Sequence, residues 1–287
     1  MGRLLIVTQV FPPDATAVGQ YLHDLAVEVA EAGRPVTVVT ADRDYSDPSR
    51  VYPPFEYRGK IEIIRVPASS FGKASLAHRL AGAASFLAQA MARGLRLDDV
   101  DRTLVSTSPP LAGAVGWLLK TTRGIPCTYW VMDLNPDQAV AMGLFGERHP
   151  AVRAFDLYNA RVLKGAQHVV ALDEFMAARI RAKYERPVEV IPPWPLQAHA
   201  SPVAHSDNGF RKEQGWDDKT VIMFSGNMSP TSPIDTVVDA AYRLKDRTDL
   251  VFAFIGGGAG KEKLTARLQN DPLQNAVVLP YHVEICG

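Results

Sequence analysis

The sequence is poor in cysteine and has no excess of charge of either sign. Only Cys127 and Cys286 occur among 287 residues, and they form neither a metal-binding spacing nor a disulfide framework. Such sparse cysteine usage fits a reducing cytoplasm. The 31 basic and 31 acidic residues cancel, whereas proteins that bind nucleic acid usually carry a basic excess. We therefore predict a cytoplasmic protein without a nucleic-acid partner.

Long hydrophobic runs are also missing. No apolar stretch reaches the roughly 18 residues that suggest a membrane-spanning helix. The apolar run Leu4–Val10 is too short for a signal peptide, and Phe11, Pro12 and Pro13 follow where a cleavage site would lie. The run is instead typical of a strand that is buried on both faces.

Apolar strands alternate with helical patterns along the chain, which predicts doubly wound parallel sheets of the α/β class. The strands expected in the first series are Leu4–Val10, Val36–Thr40, Ile61–Val66, Thr103–Ser106, Cys127–Met132, His168–Leu172 and Val188–Ile191. A second, shorter series contains Thr220–Phe224, Leu250–Ile255 and Ala276–Leu279.

A segment rich in proline and polar residues separates the two series. Pro192, Pro193, Trp194 and Pro195 precede a polar stretch that runs to Asn208, which is linker composition. We predict an N-terminal Rossmann-like domain over 1–195, a linker over 196–209 and a second Rossmann-like domain over 210–287.

Ligands of open parallel sheets bind beyond the carboxyl ends of the strands. The first such loop, 11–20, leads into a helix N-terminus, where backbone N–H groups favour an anion. Asp14 and Gly19 are candidate substrate-binding residues there, Gly19 because it lets the backbone approach a ligand closely. An ordinary loop before a helix explains the same residues. No Gly-x-Gly-x-x-Gly follows this strand, which argues against a nicotinamide site.

Two carboxylates and an amide follow the predicted strand Cys127–Met132. Asp133 and Asp137 are candidate catalytic residues, and Asn135 is a candidate substrate-binding residue, because this set could bind sugar hydroxyls or orient a nucleophile. The alternative is plain turn and cap chemistry, which Asn-Pro-Asp provides by itself.

Two glycine-containing loops in the second series could hold a phosphate group. The candidate residues are Ser225, Gly226, Asn227, Gly256, Gly257, Gly258 and Lys261. A capped turn explains the first loop equally well. A Walker phosphate loop is rejected, because its glycine spacing is longer by one and a serine or threonine follows its lysine.

Three other site classes find little support. Asp42 and Asp44 form the Asp-x-Asp pattern of metal-dependent sugar transferases, but their polar context favours a solvated loop. The seven histidines show no metal-binding spacing, and no Gly-x-Ser-x-Gly elbow is present. We predict no metal site.

Taken together, these segments resemble family 4 glycosyltransferases, above all those of bacterial exopolysaccharide synthesis such as the colanic-acid type. The segments that carry the resemblance are LLIVTQVFPPD (4–14), LAVEVAEAGRPVTVVTA (25–41), STSPPLAGAVGWLL (106–119), DLNPD (133–137), VIPPW (190–194), FRKEQGW (210–216), VIMFSGNMSPTSPIDTVVDAA (221–241) and FAFIGGGAGKEKL (252–264).

The resemblance implies a GT-B fold of two Rossmann-like domains and no cofactor beyond a nucleotide-sugar donor. The acceptor would bind mainly the N-terminal domain and the donor mainly the second domain. The reaction in such relatives retains the anomeric configuration and needs no metal bound to Asp-x-Asp. The acceptor expected is a polyprenyl-diphosphate-linked sugar, so the enzyme would visit the inner face of the cell membrane. The basic and apolar segment 73–97 is the candidate contact, and a core helix is the alternative.

Two features depart from the family pattern. Relatives continue for about a hundred residues past the position of Gly287, so we expect a second domain that is incomplete here. The loop after Asn227 also lacks the Arg or Lys that many relatives place beside the diphosphate. The alternative function is therefore an inactive, truncated remnant that binds an acceptor or a partner. A nucleotide-sugar epimerase is disfavoured, because no tyrosine has a lysine four residues on.

Overall fold

The computed structural model describes residues 2–14, 16–45, 47–67, 76–195, 203–229, 232 and 234–280. The chain forms two compact units, unit 1 over Met1–Leu196 and unit 2 over Gln197–Gly287. Within the described ranges, no helix is both long and apolar enough to cross a membrane.

Unit 1 is built on an eight-stranded sheet. Its strands are β1 (Arg3–Val7), β2 (Val36–Ala41), β3 (Phe55–Arg58), β4 (Ile61–Val66), β5 (Val100–Ser106), β6 (Cys127–Val131), β7 (His168–Ala171) and β8 (Glu189–Val190). Their order is β3-β4-β2-β1-β5-β6-β7-β8. Every pairing is parallel except that of β3 with β4. The predicted doubly wound α/β class is confirmed.

Helices cover both faces of this sheet. They are α1 (Ala17–Glu31), α2 (Leu76–Arg96), α3 (Gly113–Arg123), α4 (Asp137–Ala141), α5 (Pro150–Gly165) and α6 (Glu174–Tyr184). Leu22, Ala26 and Ala30 of α1 pack on one face, against side chains that include Val38 and Ile63. The helices α2, α3, α5 and α6 supply the buried cluster on the other face. This two-sided burial explains why the central strands are apolar on both faces.

The helix predicted as a membrane contact is α2, and one side of its C-terminal half packs into the core. Phe86, Leu87 and Ala90 are buried and Met91 packs against the same cluster, whereas Leu80 is exposed. Residues 73–75 and the side chain of Arg79 lie outside the described part. The core-helix alternative therefore accounts for this half of α2.

Unit 2 contains a three-stranded parallel sheet of β9 (Thr220–Asn227), β10 (Leu250–Gly257) and β11 (Ala276–Leu279), in the order β11-β10-β9. Its helices are α7 (Gly209–Glu213), α8 (Ile234–Arg243) and α9 (Ala259–Asn270), and a 3₁₀ turn covers His205–Asp207. Val238 and Leu264 pack on Phe252 and Phe254 to form its core.

An aromatic cluster fixes the end of the described part of unit 1. The Trp194 ring stacks on Trp130 at 5.7 Å and meets Tyr21 edge-on at 5.1 Å. Its indole N–H donates a hydrogen bond of 3.1 Å to Asp24 Oδ2. Trp194 thus joins the strand β6 to the helix α1.

Candidate functional site

Buried hydroxyl groups line the carboxyl edge of the unit 1 sheet. Ser106 Oγ contacts Thr8 Oγ1 at 3.4 Å, which joins the ends of β5 and β1. Thr107 Oγ1 accepts hydrogen bonds from the backbone N–H groups of Met132 and Asp133, at 3.1 and 3.0 Å. These contacts tie the ends of three strands together. None of these three hydroxyl residues was predicted as a site residue, although Thr8 interrupts an apolar run and the other two begin the segment STSPP (106–110).

Asp133 lies directly after β6 at this edge, as the sequence predicted. The residue is exposed, and its carboxylate forms no hydrogen bond or ion pair within the described part of the chain. Partial desolvation by the surrounding protein nonetheless raises the pKa of the Asp133 carboxyl above 3.8. An unpaired carboxylate with a raised pKa can accept a proton or a hydroxyl hydrogen bond.

Asp137 has a different environment, although it lies only four positions after Asp133. It begins α4, and its carboxylate accepts hydrogen bonds from Arg179 Nε at 2.7 Å and from the Lys183 ammonium. Burial by itself raises the pKa of Asp137, but these two partners outweigh it and hold the pKa below 3.8. The structure explains Asp137 as an ion-pair anchor for α6, and its catalytic role stays a prediction.

Asn135 lies between the two carboxylates and takes part in the packing of α5. Its backbone carbonyl accepts a 2.6 Å hydrogen bond from the side-chain amide of the buried Asn159. Asn135, Asp133 and Thr107 border one small cavity at the end of β6. The substrate-binding role of Asn135 stays a prediction.

Asp14 and Gly19 both hold the loop after β1 in place. Asp14 is buried, and its Oδ2 accepts a 2.8 Å hydrogen bond from the backbone N–H of Tyr45. A side chain at Gly19 would lie 3.2 Å from Phe11 Cα and Val10 O. The close approach that Gly19 allows is therefore to the backbone of its own loop.

The expectation of a solvated loop at Asp42 and Asp44 is wrong. Each residue is only 8% exposed. Asp44 accepts hydrogen bonds from the Tyr52 hydroxyl at 2.9 Å and from the backbone N–H of Asp47 at 2.8 Å. Burial, followed by the bond to Asp44, raises the pKa of Tyr52 to about 12. Asp44 is therefore a structural acceptor, and Asp42 is a buried residue rather than part of a solvated loop.

Arg65 was missed by the sequence analysis and organises the same region. Its side chain is fully buried in β4, and the guanidinium donates to Pro12 O at 3.1 Å, Pro53 O at 3.1 Å and Glu56 Oε1 at 3.0 Å. It thereby ties the loop after β1 to the segment before β3. An arginine inside the apolar run 61–66 is the sequence signal that could have revealed it.

In unit 2, glycine residues let the two strand-end loops touch. A side chain at Gly256, whose φ is +137°, would lie 2.0 Å from Gly226 O, and one at Gly258, whose φ is +113°, would lie 2.3 Å from Asn227 Oδ1. The Met228 N–H also donates to Gly257 O at 2.7 Å. The structure thus brings the two predicted phosphate-binding loops together at one edge of the sheet.

Lys261 and Ser225 complete this edge. The Lys261 ammonium donates to Gly256 O at 3.0 Å and to Leu279 O at 3.4 Å, at the ends of β10 and β11. Ser225 lies in β9 opposite Ile255 of β10. Lys261 therefore places a positive charge at the strand ends, where the α9 N-terminus also begins, with Gly258 as its N-cap.

No group of three or more His, Cys, Asp or Glu side chains that could hold a metal ion occurs in the part of the chain that the structure describes. Among the residues that the structure describes, these strand-end edges combine hydroxyls, glycines and the Lys261 ammonium with the carboxylate of Asp133, which has no hydrogen-bond or ion-pair partner there.

Comparison with known proteins gives a consistent picture. Residues 16–194 match the family described as the glycosyl transferase 4-like domain. The colanic acid biosynthesis glycosyl transferase WcaI of Escherichia coli (strain K12) is 25% identical over 293 residues, which cover 97% of this chain and 71% of that protein.

Three solved structures show the same fold at low sequence identity. Sucrose-phosphate synthase from Thermosynechococcus elongatus has a TM-score of 0.73 at 14% identity, covering 98% of this chain and 71% of its own. Anabaena Alr3699/HepE, solved with UDP-glucose, has a TM-score of 0.62 at 14% identity, covering 99% and 70%. WaaG, a glycosyltransferase involved in lipopolysaccharide biosynthesis, has a TM-score of 0.64 at 14% identity, covering 99% and 71%. The neighbours are GT-B glycosyltransferases, which confirms the predicted fold.

Proposed function

We propose a function from the premise that the chain belongs to the glycosyl transferase 4-like family. The protein is accordingly a glycosyltransferase of polysaccharide or lipopolysaccharide biosynthesis. The more specific proposal is that it moves a sugar from a nucleotide-sugar donor to a lipid-linked or saccharide acceptor of a bacterial surface polysaccharide. It does so without a metal ion and with retention of the anomeric configuration.

The observation that carries this proposal is the contact between the glycine loops of unit 2. Gly226 and Gly256 pack backbone against backbone at the ends of β9 and β10, Gly258 is exposed at the start of α9, and Lys261 adds a positive charge beside them. Backbone N–H groups, a lysine and a helix N-terminus together form a suitable environment for a diphosphate. A solved neighbour, Alr3699/HepE, binds UDP-glucose, which supports a nucleotide diphosphate sugar as the donor here.

The acceptor is proposed to bind at the carboxyl edge of unit 1. Asp133 is the residue there whose carboxylate is unpaired, and its raised pKa suits a group that accepts the hydrogen of an attacking hydroxyl. Asn135 would hold a sugar hydroxyl beside it. Asp137 would act indirectly, because Arg179 and Lys183 already occupy its carboxylate.

The acceptor class and the location are proposed together. The relative WcaI is a colanic acid biosynthesis enzyme and the neighbour WaaG is involved in lipopolysaccharide biosynthesis. We propose a polyprenyl-diphosphate-linked acceptor, a location in the cytoplasm and a peripheral position at the inner face of the cell membrane.

Donor binding and transfer should be measured separately. Calorimetric titration with UDP-, GDP- and dTDP-sugars is expected to reveal one nucleotide class that binds. When the sugar of that donor carries a radioactive label, the label should be transferred to a polyprenyl-diphosphate-linked sugar. Chelation of divalent cations should leave turnover unchanged, and product NMR should show the anomeric configuration of the donor. Failure of every nucleotide sugar to bind the folded protein would refute the proposal. Donor binding without transfer to any acceptor would favour the non-catalytic alternative.

A further inference from the structure

A groove in the helical layer of unit 1 is much larger than the cavity at the end of β6. The groove lies between α4, the loop 142–149, α5 and α6, and its volume is about 400 Å³, within the size range of small-molecule sites. The cavity that Asp133 and Asn135 border measures about 10 Å³, which is room for roughly one water molecule. A saccharide ring therefore fits the groove, whereas the cavity beside Asp133 admits at most a hydroxyl group.

Charged side chains of both signs line this groove and hold one another in place. Asp137 Oδ2 accepts a 2.7 Å hydrogen bond from Arg179 Nε. The Lys183 ammonium contacts the carboxylates of both Asp137 and Asp156, the second at 2.6 Å. Glu147 is exposed and forms no hydrogen bond or ion pair with a described residue. Because most of these groups are fixed before a ligand enters, little side-chain freedom is lost when one binds.

The same groups keep hydrogen-bonding capacity that no described residue uses. Arg179 spends its Nε on Asp137, and its two terminal NH₂ groups donate to no described residue. The Asp156 carboxylate receives Lys183 and the Tyr184 hydroxyl, the latter at 2.9 Å, on Oδ1 alone, which leaves Oδ2 open within the described structure. A guanidinium beside open carboxylate oxygens can donate to one hydroxyl and accept from the next. Neighbouring hydroxyls of a sugar need this alternation of donors and acceptors.

Small apolar side chains lie between the charged groups. Val140, Val152 and Ala182 belong to the lining of the groove. Ala182 lies three positions after Arg179, so the two residues share one side of α6, and the small alanine side chain leaves space beside the guanidinium. A sugar ring presents C–H groups on its faces and hydroxyls around its edge. Aliphatic surface between hydrogen-bonding groups therefore matches a sugar ring.

The charge balance of the groove selects against an anionic ligand. Three carboxylates, those of Asp137, Glu147 and Asp156, face the two cations Arg179 and Lys183, which leaves one net negative charge. Burial by itself lowers the pKa of Lys183, but its hydrogen bonds to Asp137 and Asp156 outweigh it and hold the pKa above 10.5. These charges are therefore present at neutral pH. A phosphate or an acidic sugar would meet like charge there, so a neutral saccharide fits better.

We propose that this α4–α6 groove binds a neutral sugar of the acceptor, one unit away from the sugar that receives the transferred group. The groove is defined by Asp137, Glu147, Asp156, Arg179, Ala182 and Lys183. The inference rests on the proposed function and narrows its acceptor to a chain of at least two sugars. Asp137 lies four positions after Asp133, so their Cα atoms are at most about 14 Å apart. Neighbouring sugars of one oligosaccharide can reach both residues across that distance.

Saccharide binding by the full chain tests the proposal without requiring turnover. The probes are disaccharides and trisaccharides, released by mild acid from the bacterium's own surface polysaccharide, and binding is measured by saturation-transfer NMR. Ala182→Phe should weaken binding of the neutral fragments at least about tenfold, because the added ring fills the groove. The matched control is Ala154→Phe, an exposed alanine of α5 that lies two positions from both Val152 and Asp156 and so faces away from the groove.

A second pair of variants does not depend on how the added ring is accommodated. Glu147→Ala removes an exposed carboxylate of the groove and should weaken binding of the same fragments several-fold. Glu213→Ala removes an exposed carboxylate of unit 2 and should leave binding unchanged. Circular dichroism checks that each variant is folded. Equal effects within each pair, tighter binding of acidic than of neutral fragments, or no binding of any fragment would overturn the proposal.

Transfer to short-chain prenyl diphosphates that carry one or two sugars separates this inference from the proposed function. The two-sugar acceptor should have the lower KM, and Ala182→Phe should cancel that advantage. Transfer with the same KM for both acceptors would refute the groove alone and leave the glycosyltransferase activity standing. Fragment binding that Ala182→Phe abolishes, without transfer from any nucleotide sugar, would refute the enzymatic proposal and leave the saccharide groove standing.

Discussion

Replacing Arg65 with methionine should destabilise unit 1 more than any other single exchange of a basic residue in its sheet. The substitution removes a fully buried guanidinium and leaves Pro12 O, Pro53 O and the Glu56 carboxylate without the hydrogen bonds they accept from it. A lost bond to a buried carbonyl costs about 1 kcal/mol, and the lost bond to the Glu56 carboxylate, which keeps Arg58 as a partner, adds about 1 kcal/mol more. We expect a loss of about 3 kcal/mol in the free energy of unfolding.

Arg58 provides a matched control, because it binds the same carboxylate. Its Nε lies 2.7 Å from Glu56 Oε1, but its side chain is 35% exposed. Surface pairs of this kind contribute about 0.5 kcal/mol. For a domain of this size 1 kcal/mol corresponds to roughly 2–4 °C in Tm, so Arg65→Met should lower Tm by roughly 6–12 °C and Arg58→Met by about 1–2 °C.

The pH dependence of the same two proteins provides an independent check. Burial by itself raises the pKa of Glu56, but hydrogen bonds from Arg65 and Arg58 outweigh it and hold the pKa below 4.5. The stability that this depressed pKa contributes is present above pH 4.5 and is lost as the pH falls through the lower folded value. Arg65→Met should flatten that decline in urea unfolding. Equal Tm values for Arg65→Met and Arg58→Met would show that the buried guanidinium is not the anchor we infer.

Three further predictions concern the candidate site. Asp133→Asn should lower turnover about tenfold, which corresponds to about 1.4 kcal/mol in the activation barrier. The original enzyme should lose activity as the pH falls through the raised pKa of Asp133. Unchanged kinetics in a folded variant would remove Asp133 from the mechanism. Gly256→Ala should weaken donor binding at least tenfold, whereas Gly257→Ala, where an added Cβ meets nothing within 4 Å, should not; equal affinities in calorimetry would contradict the loop contact. Asp137→Asn should reduce the free energy of unfolding above pH 3.8. The depressed pKa of the original Asp137 contributes stability above that pH, and this contribution disappears on acidification. A loss of turnover with unchanged stability would instead support a direct catalytic role.

The fold could be predicted from the sequence wherever burial on both faces leaves an apolar run. The strand β3 escaped prediction because it pairs at the sheet edge with half its side chains exposed, so Phe55–Arg58 shows no such run. The five-residue helix α4 escaped because Asp137 and its neighbours are also good turn residues. Local sequence signals are weak where an element is short or only half buried.

The candidate site was predictable in position but not in detail. The end of β6 pointed to Asp133, and the glycine loops of unit 2 were recognisable as strand-end segments. That the Asp137 carboxylate is paired and the Asp133 carboxylate is not was not predictable. The difference depends on Arg179 and Lys183, which lie more than forty residues away along the chain. Asp42 and Asp44 were misjudged because their polar sequence context does not reveal that both residues are buried and that Asp44 accepts a hydrogen bond from Tyr52.

The aromatic contact of Trp194 determines where unit 1 can be cut. Trp194 follows the last strand of the sheet, yet its ring stacks on Trp130 and its N–H bonds to Asp24 of α1. An isolated N-terminal unit that stops at Val190 would expose the Trp130 ring and lose the stacking and the hydrogen bond that Trp194 makes. A unit that runs to Pro195 would keep both contacts. The chain leaving the sheet is therefore part of the folding unit, and domain dissection should treat Trp194 as a core residue.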